Sequence, residues 1–503
     1  MTAPQPGLGR QMAKGAGWMV LMRLAIRSVG VVSTIILARL LLPEDFGLVA
    51  LAYIVIEFLD VMGAFDFEAT LVSMNDADRK LYNTAWTLGL LRGVLTAVLL
   101  LILAWPSAVF FSEPRLFEVL LFFSIVPLID SLKNIGTVDF YRELRLDLQF
   151  NLNVGSKLAS FSATIIAALI FRNYWALLIG TMIGTAARTV LSYFMSAYRP
   201  GFRLEGWKPL VHFSKWLAVN GVISFFGRKA DAIILGRITS ATSVGTYTLA
   251  KEVSSLPTSE LAIPIHSATL PGYARLAHDH LRLSHAYLNT LALICLAALP
   301  LGFGISLTAQ LAVPIVLGPN WDEAIPLIQI LAAAGTIRIL GANQSAALMA
   351  LKRPKIISYI YFVSTAVVIP SLYVGVVWAG PVGAAWATFG STAFTTGLSL
   401  IVANRVFSIS YDRFLSAFWR PVLACIAMAL VVQFAALPWA LAQTGGMAIV
   451  ALVVTVGAGA ITYLAGLLCL WRMSGSPKGA EADALDAFWA ILRRLKILPG
   501  HAV

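Results

Sequence analysis

Two arginines, Arg23 and Arg27, lie within an almost wholly apolar stretch, Trp18–Ala52. They are four residues apart, so on a helix they share one face. A guanidinium at mid-bilayer costs roughly 2.5–3.5 kcal/mol on insertion scales, so it faces a cavity or a partner rather than lipid. Its planar donor fork binds phosphate or carboxylate through two parallel hydrogen bonds. Arg92, Arg188, Arg228, Lys229 and Arg338 also lie in apolar segments. Together these cations suggest a positive cavity for an anionic substrate, led by Arg23, Arg27 and Arg228. The competing account is ion pairing inside a helix bundle, or snorkelling to the headgroups. Arg39 and Arg237 sit at helix ends, and snorkelling suits them best.

The acids in the same segments set the alternative. Glu57 and Asp60 share a face of one helix, and either could pair with Arg23 or Arg27. Asp231 is one turn from Arg228, and Asp130 shares a face with Lys133. Paired charges are the usual solution in a bilayer, so pairing is expected ahead of a proton or sodium relay at Glu57, Asp60 or Asp231. No catalytic residues are expected. No GxSxG, phosphate-binding loop, HExxH or nucleotide fingerprint stands at an element junction, so no cofactor is expected. His278, His280 and His285 crowd one loop without converging ligands, and Cys295, Cys425 and Cys469 are widely spaced in apolar segments. Neither set reads as a metal site or a disulfide framework.

The elements that must hold these residues are membrane helices. Hydrophobic residues make up 59% of the 503 and charged residues 12%, with a mean hydropathy of +0.81. Soluble domains carry about 25% charged residues. A crossing needs about 20 mostly apolar residues, and about fourteen such segments follow one another, the first at 16–39 and the last at 446–471. Cytoplasmic placement of both termini puts Arg79, Lys80, Arg142, Arg145, Arg199, Arg203, Lys352, Arg353 and Lys355 on the inside. The outside then keeps little beyond Arg115 and Arg172, as the positive-inside rule requires. The net charge of +12 is thereby explained by loop location, without nucleic acid. The polar N-terminus lacks a cleavage signature, so no removed signal peptide is expected. Leu485, Phe488, Leu492 and Leu495 mark one face of a C-terminal amphipathic helix, 480–496, expected on the inner membrane surface.

The first stretch recurs 198 residues later. Trp18, Ile36, Leu37, Arg39, Gly47, Leu51 and Ala52 align without a gap on Trp216, Ile234, Leu235, Arg237, Gly245, Leu249 and Ala250. A repeat at that spacing implies two homologous halves. The expected fold is all-α and polytopic. An N-terminal lobe at 1–205 and a C-terminal lobe at 206–405 hold six helices each. Two further helices lie at 406–472, and a cytoplasmic tail at 473–503. Parallel repeats of this kind place substrate at the repeat interface and work by rocking one half against the other.

The residues that carry the repeat also carry a resemblance. The stretch ILARLLLPEDFGLVALAY at 36–53 resembles the first hairpin of the polysaccharide transporter branch of the multidrug/oligosaccharidyl-lipid/polysaccharide flippase superfamily. The segments at 230–257 and 313–335 resemble its second half and its external loop with the tenth helix. The resemblance implies a bacterial inner-membrane flippase for undecaprenyl-pyrophosphate-linked oligosaccharides, serving exopolysaccharide, capsule or O-antigen synthesis. It implies a cationic central cavity, membrane lipid around the polyprenyl tail, and polymerase and export machinery as candidate partners. A multidrug exporter of the same superfamily is the alternative, but such cavities favour acids. A membrane glycan polymerase or ligase needs a sizeable external loop, and the external loops here are short. A scaffold that has lost transport would not need a positive cavity.

Overall fold

A computed structural model describes residues 8–63, 67–74, 78–205, 207–477 and 479–494. The regular elements among the described residues are all helices. Contacts divide the chain into two compact units, Met1–Thr248 and Leu249–Val503.

The first unit opens with α1 (Leu8–Leu40), α2 (Pro43–Met62), α3 (Phe67–Ser73) and α4 (Arg79–Phe111). Two short helices follow, α5 (Arg115–Phe123) and α6 (Ile125–Ser131), then a 3-10 turn (Ile135–Val138) and α7 (Asp139–Arg142). Long helices α8 (Leu146–Phe171), α9 (Trp175–Met195) and α10 (Trp207–Ile238) complete it. The division then falls within α11 (Ala241–Leu276). α8 packs along α9 and α1, and α10 packs on α2 and α4.

The α1–α2 junction explains the PEDFG sequence. Pro43 is the first residue of α2, where its missing N–H goes unneeded. Asp45 is buried and accepts hydrogen bonds from Leu42 N at 3.0 Å and Tyr174 N at 2.9 Å. One carboxylate thus caps α2 and ties it to the start of α9. Gly47 lies where α2 crosses the first turns of α11. A Cβ on Gly47 would sit 1.7 Å from the Ala241 carbonyl oxygen, and one on Gly245 would sit 1.8 Å from that of Pro43. Gly47 and Gly245 are the glycines the sequence repeat aligns. The repeat also holds in helix register: α10 ends and α11 begins 198 residues after α1 ends and α2 begins. Nearby, Arg115 donates to Glu113 at 2.8 Å and lies 3.5 Å from Glu44. Its guanidinium holds the Glu113 carboxyl below the ordinary carboxylate range.

The second unit continues with α12 (His280–Val316), α13 (Ala324–Ala350), α14 (Pro354–Phe407), α15 (Tyr411–Val431), α16 (Leu437–Leu441), α17 (Gly446–Met473) and α18 (Ala480–Arg494). α13 packs between α12 and α14, while α15 and α17 pack on each other and on α12. α14 is two helices broken at Ala379 and Gly380. Gly380 has φ +56° and ψ −135°, a conformation open to glycine but strained for a residue with Cβ. The chain doubles back there so tightly that a Cβ on Gly383 would meet the Gly375 carbonyl oxygen. Trp321, fully buried, anchors the connection from α12 to α13. Pro257 and Pro264 do not interrupt α11, and their side chains lie outside those described.

Most of the fourteen apolar segments lie in a described helix, but 116–136 breaks into α5, α6 and the start of the 3-10 turn, and 46–67 runs past the end of α2. Nine helices among the described residues are long and apolar enough to cross a membrane, with the broken α14 counted once. The chain is therefore a multi-pass membrane protein.

The C-terminal helix is placed by specific contacts with the second unit. Arg420 Nε on α15 donates to Glu481 Oε1 on α18 at 2.7 Å, and these side chains are only 12% and 7% exposed. Asn289 Nδ2 on α12 donates to Asp483 Oδ2 at 2.7 Å. The expected apolar face includes Phe488 and Leu492, whose side chains are outside those described, and Leu495, which is outside the described residues altogether. Removing one partner of a buried ion pair costs about 3–5 kcal/mol, because the other charge stays buried. Glu481→Ala should therefore lower the melting temperature and expose the chain after Pro477 to limited proteolysis. An unchanged melting temperature and digestion pattern would show that the pair does not hold α18.

Candidate functional site: the charged helix faces of the first unit

Arg23 and Arg27 lie on α1, both half-buried. Their helix packs on α8, where Trp18 meets Phe150 at a ring-centre distance of 5.1 Å. Asn153 on α8 donates to the Met22 sulfur at 3.4 Å and accepts from Arg188 Nη2 on α9 at 3.2 Å. Arg188 thus belongs to the α1–α8–α9 packing.

The acids of α2 meet cations from two other helices. Glu57 Oε2 lies 2.8 Å from Lys229 Nζ, and Oε1 lies 3.6 Å from Arg228 Nη2, both on α10. Asp60 Oδ1 lies 3.4 Å from Arg92 Nη2 on α4. Sequence spacing places Glu57 and Asp60 on one face but does not say which neighbouring helix they meet. These pairs run to α10 and α4, where α1 was the expected side. The Asp60–Arg92 pair is nearly neutral, and its side chains are 53% and 35% exposed.

Asp231 is buried and accepts from the Ala232 backbone N–H at 2.8 Å. Lys133 pairs with Glu68 of α3 at 2.5 Å, and Asp130 is exposed. The expected pairing of Lys133 with Asp130 is thus replaced: α3 brings a carboxylate closer than the neighbouring turn does. Arg237 is exposed at the end of α10, with its guanidinium carbon 5.6 Å from the Phe110 ring centre. That is a cation–aromatic contact at the helix end. Arg338 is exposed on α13 of the second unit.

The repeat adds a contrast. The residues that answer Arg23 and Arg27 in α10 are Gly221 and Phe225. Phe225 is 1% exposed and lies 5.5 Å, ring to ring, from Phe58 on α2. A Cβ on Gly221 would sit 2.8 Å from Val61 Cγ1. In α10 this register is a packing seam on α2, whereas in α1 it carries two half-buried cations.

The helical architecture is one shared by solved transporters. It matches the lipid II flippase MurJ in its inward closed conformation with a TM-score of 0.71, covering 90% of this chain and 99% of that one at 14% identity. It matches an inward-facing multidrug resistance MATE family transporter of the MOP superfamily with a TM-score of 0.60, covering 76% and 94% at 12% identity. The family follows from the sequence match: residues 36–326 fit the model of the polysaccharide biosynthesis protein family, and the chain belongs to that family. Among its relatives, the lipopolysaccharide biosynthesis protein WzxC of Escherichia coli is 26% identical over 82% of this chain and 85% of its own length. The succinoglycan biosynthesis transport protein ExoT of Rhizobium meliloti is 25% identical over 84% and 86%.

Proposed function

We propose that this protein is a flippase of the bacterial inner membrane. It moves polyprenyl-pyrophosphate-linked oligosaccharide repeat units from the inner to the outer leaflet, for exopolysaccharide, capsule or O-antigen synthesis. The observation that carries this reading is family membership over residues 36–326, joined to a fold shared with a lipid II flippase. The protein is a transporter and not an enzyme. Its chain crosses the membrane fourteen times with both termini in the cytoplasm, and the basic loops support that orientation. The lobes are 1–205 and 206–405, supported by the 198-residue echo, and transport proceeds by alternating access.

The anionic head of the substrate is held by Arg23, Arg27 and Arg228, with Arg92 and Lys229 adding positive potential; Arg338, in the second unit, is a separate candidate. A pyrophosphate offers several acceptor oxygens, and a guanidinium fork engages two at once. Glu57 and Asp60 hold Arg228, Lys229 and Arg92 in place and limit the excess charge, so that an anion binds without being trapped. The polyprenyl tail stays in lipid. A drug exporter shares the fold, but the cation excess on these helices disfavours cationic drugs.

The test is transport by the purified protein in vesicles. A fluorescent polyprenyl-pyrophosphate oligosaccharide, present in both leaflets, should exchange between them faster than in protein-free vesicles. A membrane-impermeant quencher reads the exchange. No acceleration from folded, vesicle-inserted protein would overturn the reading.

A further inference from the structure

A cavity of about 480 Å3 opens in the first unit beside the N-terminal end of α4, between residues 136–145 and the end of α9. Its wall includes Arg79, Arg142 and Arg145, with Asp139 and Glu143 as the carboxylates. The first carboxylate is already engaged. Tyr82 donates its hydroxyl to Asp139 Oδ1 at 2.5 Å and accepts from Arg142 Nη1 at 2.7 Å. Arg142 Nη2 also donates to the Met74 carbonyl at 3.2 Å. This guanidinium is therefore fixed in place before any ligand arrives. The Arg79 guanidinium carbon lies 5.6 Å from the Tyr198 ring centre, and Tyr198 donates to Asn83 Oδ1 at 2.7 Å. Arg79, Arg145 and Glu143 are exposed at the mouth.

Large apolar side chains stand beside this pocket. Phe194, next to the lining residue Met195, is 84% exposed. Phe202 is 74% exposed and packs edge-on against Trp86, one helical turn from Tyr82. Aromatic side chains at that exposure suit acyl chains and not water. The arginines offer donors of the kind that phosphate accepts, and the phenylalanines stand where a lipid's tails would lie.

We propose that this pocket binds the phosphate headgroup of an anionic phospholipid of the inner leaflet. Basic pockets at the cytoplasmic ends of membrane helices take such headgroups, and arginine meets phosphate with paired donors. The bound lipid would clamp the cytoplasmic end of α4 to the α7 segment and to the end of α9. This site is separate from Arg23, Arg27 and Arg228 and does not depend on what the protein transports; its place at the inner leaflet rests on the proposed topology with both termini in the cytoplasm.

The full-length protein in phosphatidylcholine nanodiscs is compared with the same protein in nanodiscs containing phosphatidylglycerol. Phosphatidylglycerol should raise the melting temperature by several degrees, as a ligand selective for the folded state does. The double variant Arg79→Ala/Arg145→Ala should lose most of that rise while keeping its melting temperature in phosphatidylcholine. The variant Arg79→Lys/Arg145→Lys should retain part of it and guards against a folding defect. An equal rise in the alanine variant would overturn the site. An equal rise from inorganic phosphate in phosphatidylcholine nanodiscs would overturn the lipid as its occupant.

Discussion

Gly47→Val should yield a protein that neither folds stably nor supports glycan export. The added Cβ would stand 1.7 Å from the Ala241 carbonyl oxygen and 2.9 Å from the Gly245 nitrogen. Both are backbone atoms, so no side-chain rotation relieves the clash, and α2 and α11 must separate. Small residues at such crossings let helix backbones touch, and packing there holds membrane helices together. Overpacking a well-packed site costs typically 1–3 kcal/mol, and a clash with backbone should reach about the top of that range or beyond. Gly245→Val should behave alike, because its Cβ would meet the Pro43 carbonyl oxygen. Gly89→Ala on α4 is the control, since nothing lies within 4 Å of the point where its Cβ would stand. A helix-interior Gly→Ala change without a clash is mildly stabilising, by roughly 0.5–1 kcal/mol. Size-exclusion profiles and melting curves of the three variants, beside export in cells, read the outcome. Wild-type stability and export in Gly47→Val would refute the backbone contact.

Neutralising Arg23 and Arg27 together should remove most of the protein's transport. Charge-assisted hydrogen bonds contribute about 1.5–3 kcal/mol each, so losing one corresponds to roughly a tenfold to hundredfold drop in affinity. The double variant Arg23→Gln/Arg27→Gln should therefore cut exchange in vesicles by at least about tenfold. Arg23→Lys/Arg27→Lys should recover part of the rate, since it restores charge without the planar fork. Unaltered exchange by the glutamine variant would remove α1 from the proposed anion site. Failure of this variant alone does not touch the family assignment, which rests on residues 36–326.

Much of the fold was legible because its signals are local. Length and apolarity locate helices, and most apolar segments read from the sequence fall in one, although 116–136 is broken into two short helices. The Gly47–Gly245 alignment was visible as a repeat. That the two glycines meet was not, because a repeat states equivalence and not contact. The intramembrane cations were visible as violations of apolarity. Their partners were not: spacing along α2 put Glu57 and Asp60 on one face, and only helix packing chose α10 and α4. The same limit applies to Lys133, which takes Glu68 of α3 over the adjacent Asp130. The amphipathic pattern of α18 points to membrane-surface association. The buried Arg420–Glu481 pair shows that it also docks on the second unit.

The amino-acid sequence by itself determined that this is a helical membrane protein, with a 198-residue echo and with cations inside its apolar segments. Those properties follow from residue type, run length and register along one chain. Only the tertiary structure decided which charges neutralise one another and which glycines serve as contact points. It also decided where Arg79, Arg142 and Arg145 enclose a pocket. Such choices depend on distances between helices far apart in sequence. A shift of a few ångströms changes an ion pair or a backbone contact without altering the hydrophobic pattern of either helix.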